Sequence, residues 1–183
     1  MIEFNNIAAV IRPQLRMIIL DRDGVINYDS DAYIKRPEEW NALPGSLEAI
    51  CKLQQHFHVC VATNQSGLGR GLFDLDALNA IHARMQEEIS ALGGKPVPIF
   101  FCPHTPEAKC SCRKPLPGLV TAALEHFDQR AEEALMVGDA NRDIEAGLAA
   151  GCHTVMVGDG ASAPADTPRA RDLSEVTQAL TSF

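Results

Sequence analysis

Five short runs of the chain are apolar with almost no interruption: Met17–Leu20, Val59–Ala62, Pro98–Phe101, Ala134–Val137 and Thr154–Val157. They lack the in/out alternation of a half-exposed strand and predict strands covered on both faces. The stretches between them carry the helical period instead. Gly45–Gln55 presents Leu47, Ile50, Cys51 and Leu53. Asp74–Leu92 spaces Leu75, Leu78, Ile81, Met85 and Ile89 three or four apart and stops at Gly93-Gly94, as helices commonly do. Leu119–Phe127, Asp143–Ala150 and Ser174–Leu180 complete the predicted helices, while 158–172, rich in Ala, Pro, Gly and Asp, reads as a loop. Strand and helix alternate, which predicts an α/β fold with a parallel sheet.

With 183 residues and no internal repeat, one domain is expected. The balance of 16 basic and 24 acidic side chains, net -8, argues against a nucleic-acid partner or an anionic membrane surface. No apolar run reaches the length of a membrane span. Residues 1–16 make a poor signal peptide, because Glu3 sits where positive charge belongs and the apolar stretch Ile7–Ile11 is short. They are expected to be an N-terminal extension to a domain at 17–183, with a translation start at Met17 as the alternative. The expected setting is the cytoplasm, where the six cysteines would be thiols or metal ligands rather than disulfides.

Open parallel sheets bind ligands at the carboxyl ends of their strands, so the residues that follow each run carry the candidate chemistry. The first run leads into Asp21-Arg22-Asp23-Gly24, and the second into Thr63-Asn64-Gln65-Ser66-Gly67. The third leads to a Cys/His cluster and Arg113-Lys114-Pro115, and the fourth into Gly138-Asp139 with Asp143 beyond. Two acids spaced as Asp21 and Asp23 can divide the work of a nucleophile and a proton shuttle. Adding Asp139 and Asp143 crowds negative charge, since two unit charges 4 Å apart repel by about 4 kcal/mol at an effective dielectric near 20. A hard cation such as Mg²⁺ relieves that crowding and suits carboxylates together with a substrate phosphate. Thr63, backbone N–H groups and the Lys114 ammonium are the donors a phosphoryl group requires. Asp143 is also placed to cap the first turn of its helix.

Cys102, His104, Cys110 and Cys112 supply three thiolates and an imidazole. Four such ligands suit a tetrahedral Zn²⁺ and leave no open position, which favours a structural ion over a catalytic one. It would cross-link the loop 102–112 just before Arg113 and Lys114. Cys51, Cys60 and Cys152 read as buried thiols.

The motifs Asp21-x-Asp23, Thr63-Asn64, Lys114 and Gly138-Asp139-x3-Asp143 resemble, in order and over residues 17–160, those of the haloacid dehalogenase superfamily. That resemblance implies a Rossmann-like sheet with helices on both faces. It implies Asp21 as nucleophile forming an aspartyl-phosphate, and Asp23 as acid and then base. Mg²⁺ would be held by Asp21, the Asp23 carbonyl and Asp139, with Asp143 supporting from behind, and Lys114 and Thr63 would hold phosphoryl oxygens. "LDRDGVIN", "TNQSGLGRG", "CRKP" and the Cys/His cluster are similar to the small cap-less phosphatases of D-glycero-D-manno-heptose 1,7-bisphosphate, whose siblings hydrolyse histidinol phosphate. The short spacings between motifs leave no room for a large cap.

Without a cap, loops must grip the substrate. The candidates are the 28–33 loop with Asp29, Asp31 and Ala32, the turn Asn64-Gln65-Ser66, and Arg70. Arg113 resembles the family's recognition arginine for a second phosphate. The expected partner is therefore a small phosphorylated sugar, with no nucleic acid and no membrane, and a monomer is expected. Two other readings stay open: a histidinol-phosphate or other small sugar-phosphate phosphatase, and a zinc-stabilised binding module without catalysis.

Overall fold

The computed structural model describes residues 2–159, 164 and 166–182. The elements run β1 (Ile2–Glu3), α1 (Phe4–Ile11), β2 (Met17–Leu20), α2 (Ser46–Leu53), β3 (His58–Asn64), α3 (Ser66–Gly69), α4 (Leu75–Ala91) and β4 (Ile99–Cys102). They continue with α5 (Gly118–Phe127), β5 (Ala134–Gly138), α6 (Asn141–Ala150), β6 (His153–Val157), β7 (Pro168–Ala170) and α7 (Leu173–Thr181). The seven strands form one sheet in the order β1-β7-β6-β5-β2-β3-β4, and every pairing is parallel.

The apolar runs supply both faces of this sheet. Ile18 and Leu20 of β2 pack on one side with Phe4 of α1, Ile50 of α2, Met85 of α4 and Val176 of α7. Met17 and Ile19, pointing the other way, pack with Val120 of α5 and Ala146 of α6. Successive strand residues face opposite sides of the pleat, so helices on both faces demand unbroken hydrophobicity in the central strands. β4 departs from that expectation: it is an edge strand, and Ile99, Phe100 and Phe101 are only half-buried.

Residues 2–15 are built into the fold. Ile2 and Glu3 pair with Pro168 and Arg169 of β7, while Phe4, Ala8, Ile11 and Leu15 are buried in the larger core. Arg12 donates from Nε to the carbonyl of Leu180 at 2.8 Å, and its guanidinium lies 4.8 Å from the centre of the Phe57 ring. The expected loop 158–172 needs correction, since β7 lies within it; residues 160–163 and 165 of that stretch fall outside the described residues. No helix among the described residues is long and apolar enough to cross a membrane.

The topology reverses direction next to β2. This strand pairs with β3 on one side and β5 on the other, with Leu20 opposite both Val61 and Val137. Such a switch point opens a crevice at the strands' carboxyl ends.

Candidate active site

Asp21 is the first residue past β2, and its N–H donates to the Val137 carbonyl at 2.9 Å, extending the ladder by one step. Its Oδ1 accepts from the Arg22 N–H at 2.7 Å and lies 2.9 Å from Lys114 Nζ. Lys114 is 1% exposed. Its ammonium also reaches Asp143 Oδ1 at 2.7 Å and donates to the Ala62 carbonyl at 2.7 Å. The ammonium thus sits among three oxygens, hydrogen-bonded to the carbonyl and ion-paired to the two carboxylates. Burial works against a charged lysine, but Asp143 and Asp21 outweigh it and hold Lys114 above its ordinary value.

The acids move the other way. Burial first, then Asp143, pushes Asp21 up to about 7 against the pull of Lys114. Burial and then Asp143 push Asp139 up to about 6. One ammonium does not balance three crowded carboxylates in a low-dielectric pocket.

Oxygens of Asp21, Asp139 and Asp143 lie within 4.8 Å of one another. Asp139 Oδ1 is buried and has no hydrogen-bond partner among the described residues. An orphaned carboxylate oxygen beside two other acids fits a hard divalent cation. Gly24 makes the cluster possible. It turns at φ +80°, and a Cβ there would run into the Asp139 carboxylate. Asp143 has a second task, accepting the Ala140 N–H on Oδ2 at 3.1 Å at the start of α6.

Asp23 is held from three sides. Arg22 donates to its Oδ1 from Nε at 3.1 Å and from Nη2 at 2.8 Å. Asn27 adds a bond to Oδ1 at 2.9 Å, and Gln65 one to Oδ2 at 3.0 Å. The same Gln65 amide donates to Thr63 Oγ1 at 2.9 Å, which links the second motif to the first. Asn64 brackets the backbone of Lys114, accepting its N–H at 3.1 Å and donating to its carbonyl at 3.0 Å.

These residues surround a cavity of about 230 Å³ whose walls include Asp21, Asp23, Asp29, Asp31, Asn64, Gln65, Ser66 and Arg113. Thr63 and Lys114 lie behind the wall, and Ala32 and Arg70 are not part of it. Ala32 is exposed, and its carbonyl accepts from Lys35 at 2.7 Å. Arg70 caps the end of α3 facing solvent. Sequence reasoning overlooked Arg142, which also lines the cavity. Its position next to Asp143 on the first turn of α6 was the available signal.

The thiol cluster begins where β4 ends. The Cys102 Sγ lies 3.6 Å from that of Cys110 and 3.2 Å from that of Cys112. His104 Nδ1 lies 3.5 Å from Cys102 Sγ and 3.4 Å from Cys112 Sγ. A tetrahedral zinc with Zn–S bonds near 2.3 Å implies ligand separations of about 3.8 Å, so the four atoms need to spread only slightly. Burial pushes the Cys102 thiol up to about 12, and a thiolate there depends on a cation beside it. Arg113 is tied to the same loop, donating to the His104 carbonyl at 3.2 Å.

A parallel sheet whose central strand delivers Asp-x-Asp to its switch point, with a buried lysine and further acids from neighbouring strand ends, defines a phosphohydrolase of the haloacid dehalogenase type. The HAD-hydrolase-like family model matches residues 111–182. The chain is 46% identical over 175 residues to the D-glycero-beta-D-manno-heptose-1,7-bisphosphate 7-phosphatase of Bordetella bronchiseptica, covering 91% of this chain and 98% of that protein. It is 49% identical over 144 residues to the protein of that name from Pseudomonas putida, covering 78% and 82%. The crystal structure of the Bordetella bronchiseptica D,D-heptose 1,7-bisphosphate phosphatase, complexed with magnesium and phosphate, superposes with a TM-score of 0.86 at 46% identity, covering 91% of this chain and 98% of that one. The chain belongs to the D-glycero-β-D-manno-heptose-1,7-bisphosphate 7-phosphatase family.

Proposed function

We propose that this protein hydrolyses the C7 phosphate of D-glycero-D-manno-heptose 1,7-bisphosphate in a Mg²⁺-dependent reaction that passes through a phosphate ester on Asp21. The observation that carries this reading is a relative of that activity matched along 98% of its length. The site residues support it.

In this reading Asp21 attacks phosphorus from the floor of the cavity, forming the aspartyl P–O bond while the bond to the sugar C7 oxygen breaks. Asp23 gives that oxygen its proton and then takes one from the water that cleaves the acyl phosphate. Mg²⁺, held by Asp21, the Asp23 carbonyl and Asp139, supplies positive charge to the phosphoryl oxygens. Lys114 offsets part of the charge on Asp21 and Asp143 and holds the nucleophile in place, a bound Mg²⁺ would complete its ionisation, and Thr63 fixes Gln65, which in turn orients Asp23.

Arg113 receives the second phosphate at the cavity rim, where a planar guanidinium can bind two of its oxygens. Cys102, His104, Cys110 and Cys112 would hold a Zn²⁺, which would tie down the loop that carries Arg113 and Lys114. A monomer in the reducing cytoplasm is the accompanying expectation. The six cysteines, all free of disulfides, fit that compartment.

The test is a steady-state panel of sugar bisphosphates, sugar monophosphates and histidinol phosphate, with the released position read by phosphorus NMR. Preferential loss of the C7 phosphate, with the C1 phosphate retained, is expected. A higher kcat/KM on histidinol phosphate would overturn the assignment.

A further inference from the structure

α4 buries a stripe of Leu78, Ile81, Met85 and Ile89, and on that stripe stands one polar residue, His82, at 8% exposure. A leucine would satisfy the packing. Its Nε2 instead faces the guanidinium of Arg22, 3.3 Å from Nη1. Arg22 is itself 1% exposed. It spends its other edge on Asp23, with Nη2 reaching Oδ1 at 2.8 Å and Oδ2 at 3.1 Å.

We propose that His82 is a positioning residue for the acid/base step, acting through Arg22 to fix the orientation of the Asp23 carboxylate.

Arginine is only a donor here, so His82 Nε2 must present its lone pair, which places the ring proton on Nδ1. A planar guanidinium gripped on one edge alone can still pivot about its Cδ–Nε bond. A second contact at Nη1 fixes the plane and, through the fork, the angle of the carboxylate. Burial, followed by the charge of Arg22, drives the imidazole down to about 4. The ring is therefore neutral at ordinary working pH and can accept. A carboxylate that must alternately give and take a proton tolerates errors of about 0.5 Å, and a displacement near 1 Å costs about 10²-fold.

This inference rests on the proposed role of Asp23, and the test separates the two. Full-length His82→Leu, His82→Gln, His82→Asn and Asp23→Asn are compared on whichever phosphomonoester the wild type turns over. Gln can place Oε1 where Nε2 stood; Asn is too short to do so. His82→Leu and His82→Asn should lower kcat by about 10- to 10²-fold with KM nearly unchanged, and His82→Gln should recover most of the loss. Within an Asp23→Asn background, His82→Leu should cost nothing further, because residues acting as one unit are not additive. Equal kcat for Gln and Asn, or full additivity with Asp23→Asn, overturns the positioning role. If His82→Leu does not fold, the Gln and Asn pair decides alone. Wild-type kcat in Asp23→Asn would instead remove the acid/base role of Asp23.

Discussion

The two ligand clusters of this molecule are built on opposite plans, although they meet at neighbouring residues. The oxygen cluster takes Asp21 from the end of β2, Asp139 from the end of β5 and Asp143 from the first turn of α6, and through Asp21 it opens on a cavity. Asp139 Oδ1 and Asp143 Oδ1 are both without a hydrogen-bond partner among the described residues, and only the second has an ion-pair partner, Lys114. The sulfur cluster comes from the last residue of β4 and the loop that follows it, and gathers four ligand atoms within 4.8 Å. In coordination terms the first is open, with Asp139 Oδ1 left unpartnered, and the second is closed, since its four soft ligand atoms would fill a tetrahedral Zn²⁺. A centre that does chemistry must leave room for a substrate oxygen, whereas a centre that only holds a loop gains by leaving none. Arg113 and Lys114 follow directly on the closed cluster, and Lys114 is ion-paired to Asp21 and Asp143 of the open one, which turns this contrast into experiments.

The largest effect belongs to the nucleophile. Asp21→Asn should lower turnover by about 10⁴-fold or more, the scale at which removal of a covalent nucleophile is felt. Asp23→Asn should lose about 10²- to 10⁴-fold, as expected for one proton-transferring group. Single-turnover phosphate release measures both. A burst of sugar product without free phosphate in Asp23→Asn would further place that residue in the second half-reaction. Retained turnover in Asp21→Asn would remove it as the nucleophile.

Breaking the closed cluster should reach the open one only through position. Cys112→Ser should lose the zinc, measured as metal content per chain, and reduce kcat/KM by about 10²-fold through the displacement of Arg113 and Lys114. Brief EDTA treatment of the wild type should abolish activity while zinc stays bound, and added Mg²⁺ should restore it. Full turnover supported by zinc alone would reverse the roles given to the two clusters.

Arg113→Ala probes the rim. A hydrogen-bonded charge pair contributes about 1.5–3 kcal/mol, so KM for a bisphosphate should rise by about 10- to 10²-fold. A monophosphate, which lacks the second group, should change by less than about 3-fold. Equal effects on the two substrates would mean that Arg113 acts on the reacting phosphate or on the loop fold.

Much of this was legible in the chain because it is local. Unbroken runs such as Met17–Leu20 announce strands covered on both faces, and the residue after a strand cannot be far from its carboxyl end. Asp21, Thr63 and Asp139 were therefore placed by covalent position alone, whereas Lys114 stands well beyond the end of β4. What stayed hidden depends on partners distant in sequence. β1 has two residues and β7 three, one of them proline, so neither carries a pattern; only their pairing makes them strands. The buried Arg22 reads as one more surface charge until α4 brings His82 against it, 60 positions along the chain. The part of Gly24 in the acidic cluster is visible only when Asp139 lies over it. Lys114 was expected to face a phosphoryl group, yet its ammonium sits against Asp21, Asp143 and the Ala62 carbonyl. A sequence gives the charge of a lysine but not the side of the nucleophile on which it stands.

The smallest effect tests whether the open cluster is unfinished in the thermodynamic sense. Asp21 and Asp139 lie at about 7 and about 6 in the folded metal-free protein, against 3.8 unfolded. The folded state thus binds more protons than the unfolded one across that window, and stability falls as pH rises from about 4 to about 7. His82 runs the other way. It lies at about 4 when folded against 6.5, so its contribution rises with pH up to about 6.5 and partly masks the carboxylates. The informative quantity is therefore the change in Tm on adding Mg²⁺, to which His82 contributes little. The cation competes with protons for Asp21 and Asp139, so its stabilisation should be near zero around pH 5 and reach about 2–5 °C around pH 8. Asp139→Asn should flatten that difference by removing one ligand and one raised carboxylate together. A Mg²⁺ increment of the same size at both pH values would mean that the acids are already ionised without metal, and the oxygen cluster would then be as complete in itself as the sulfur one.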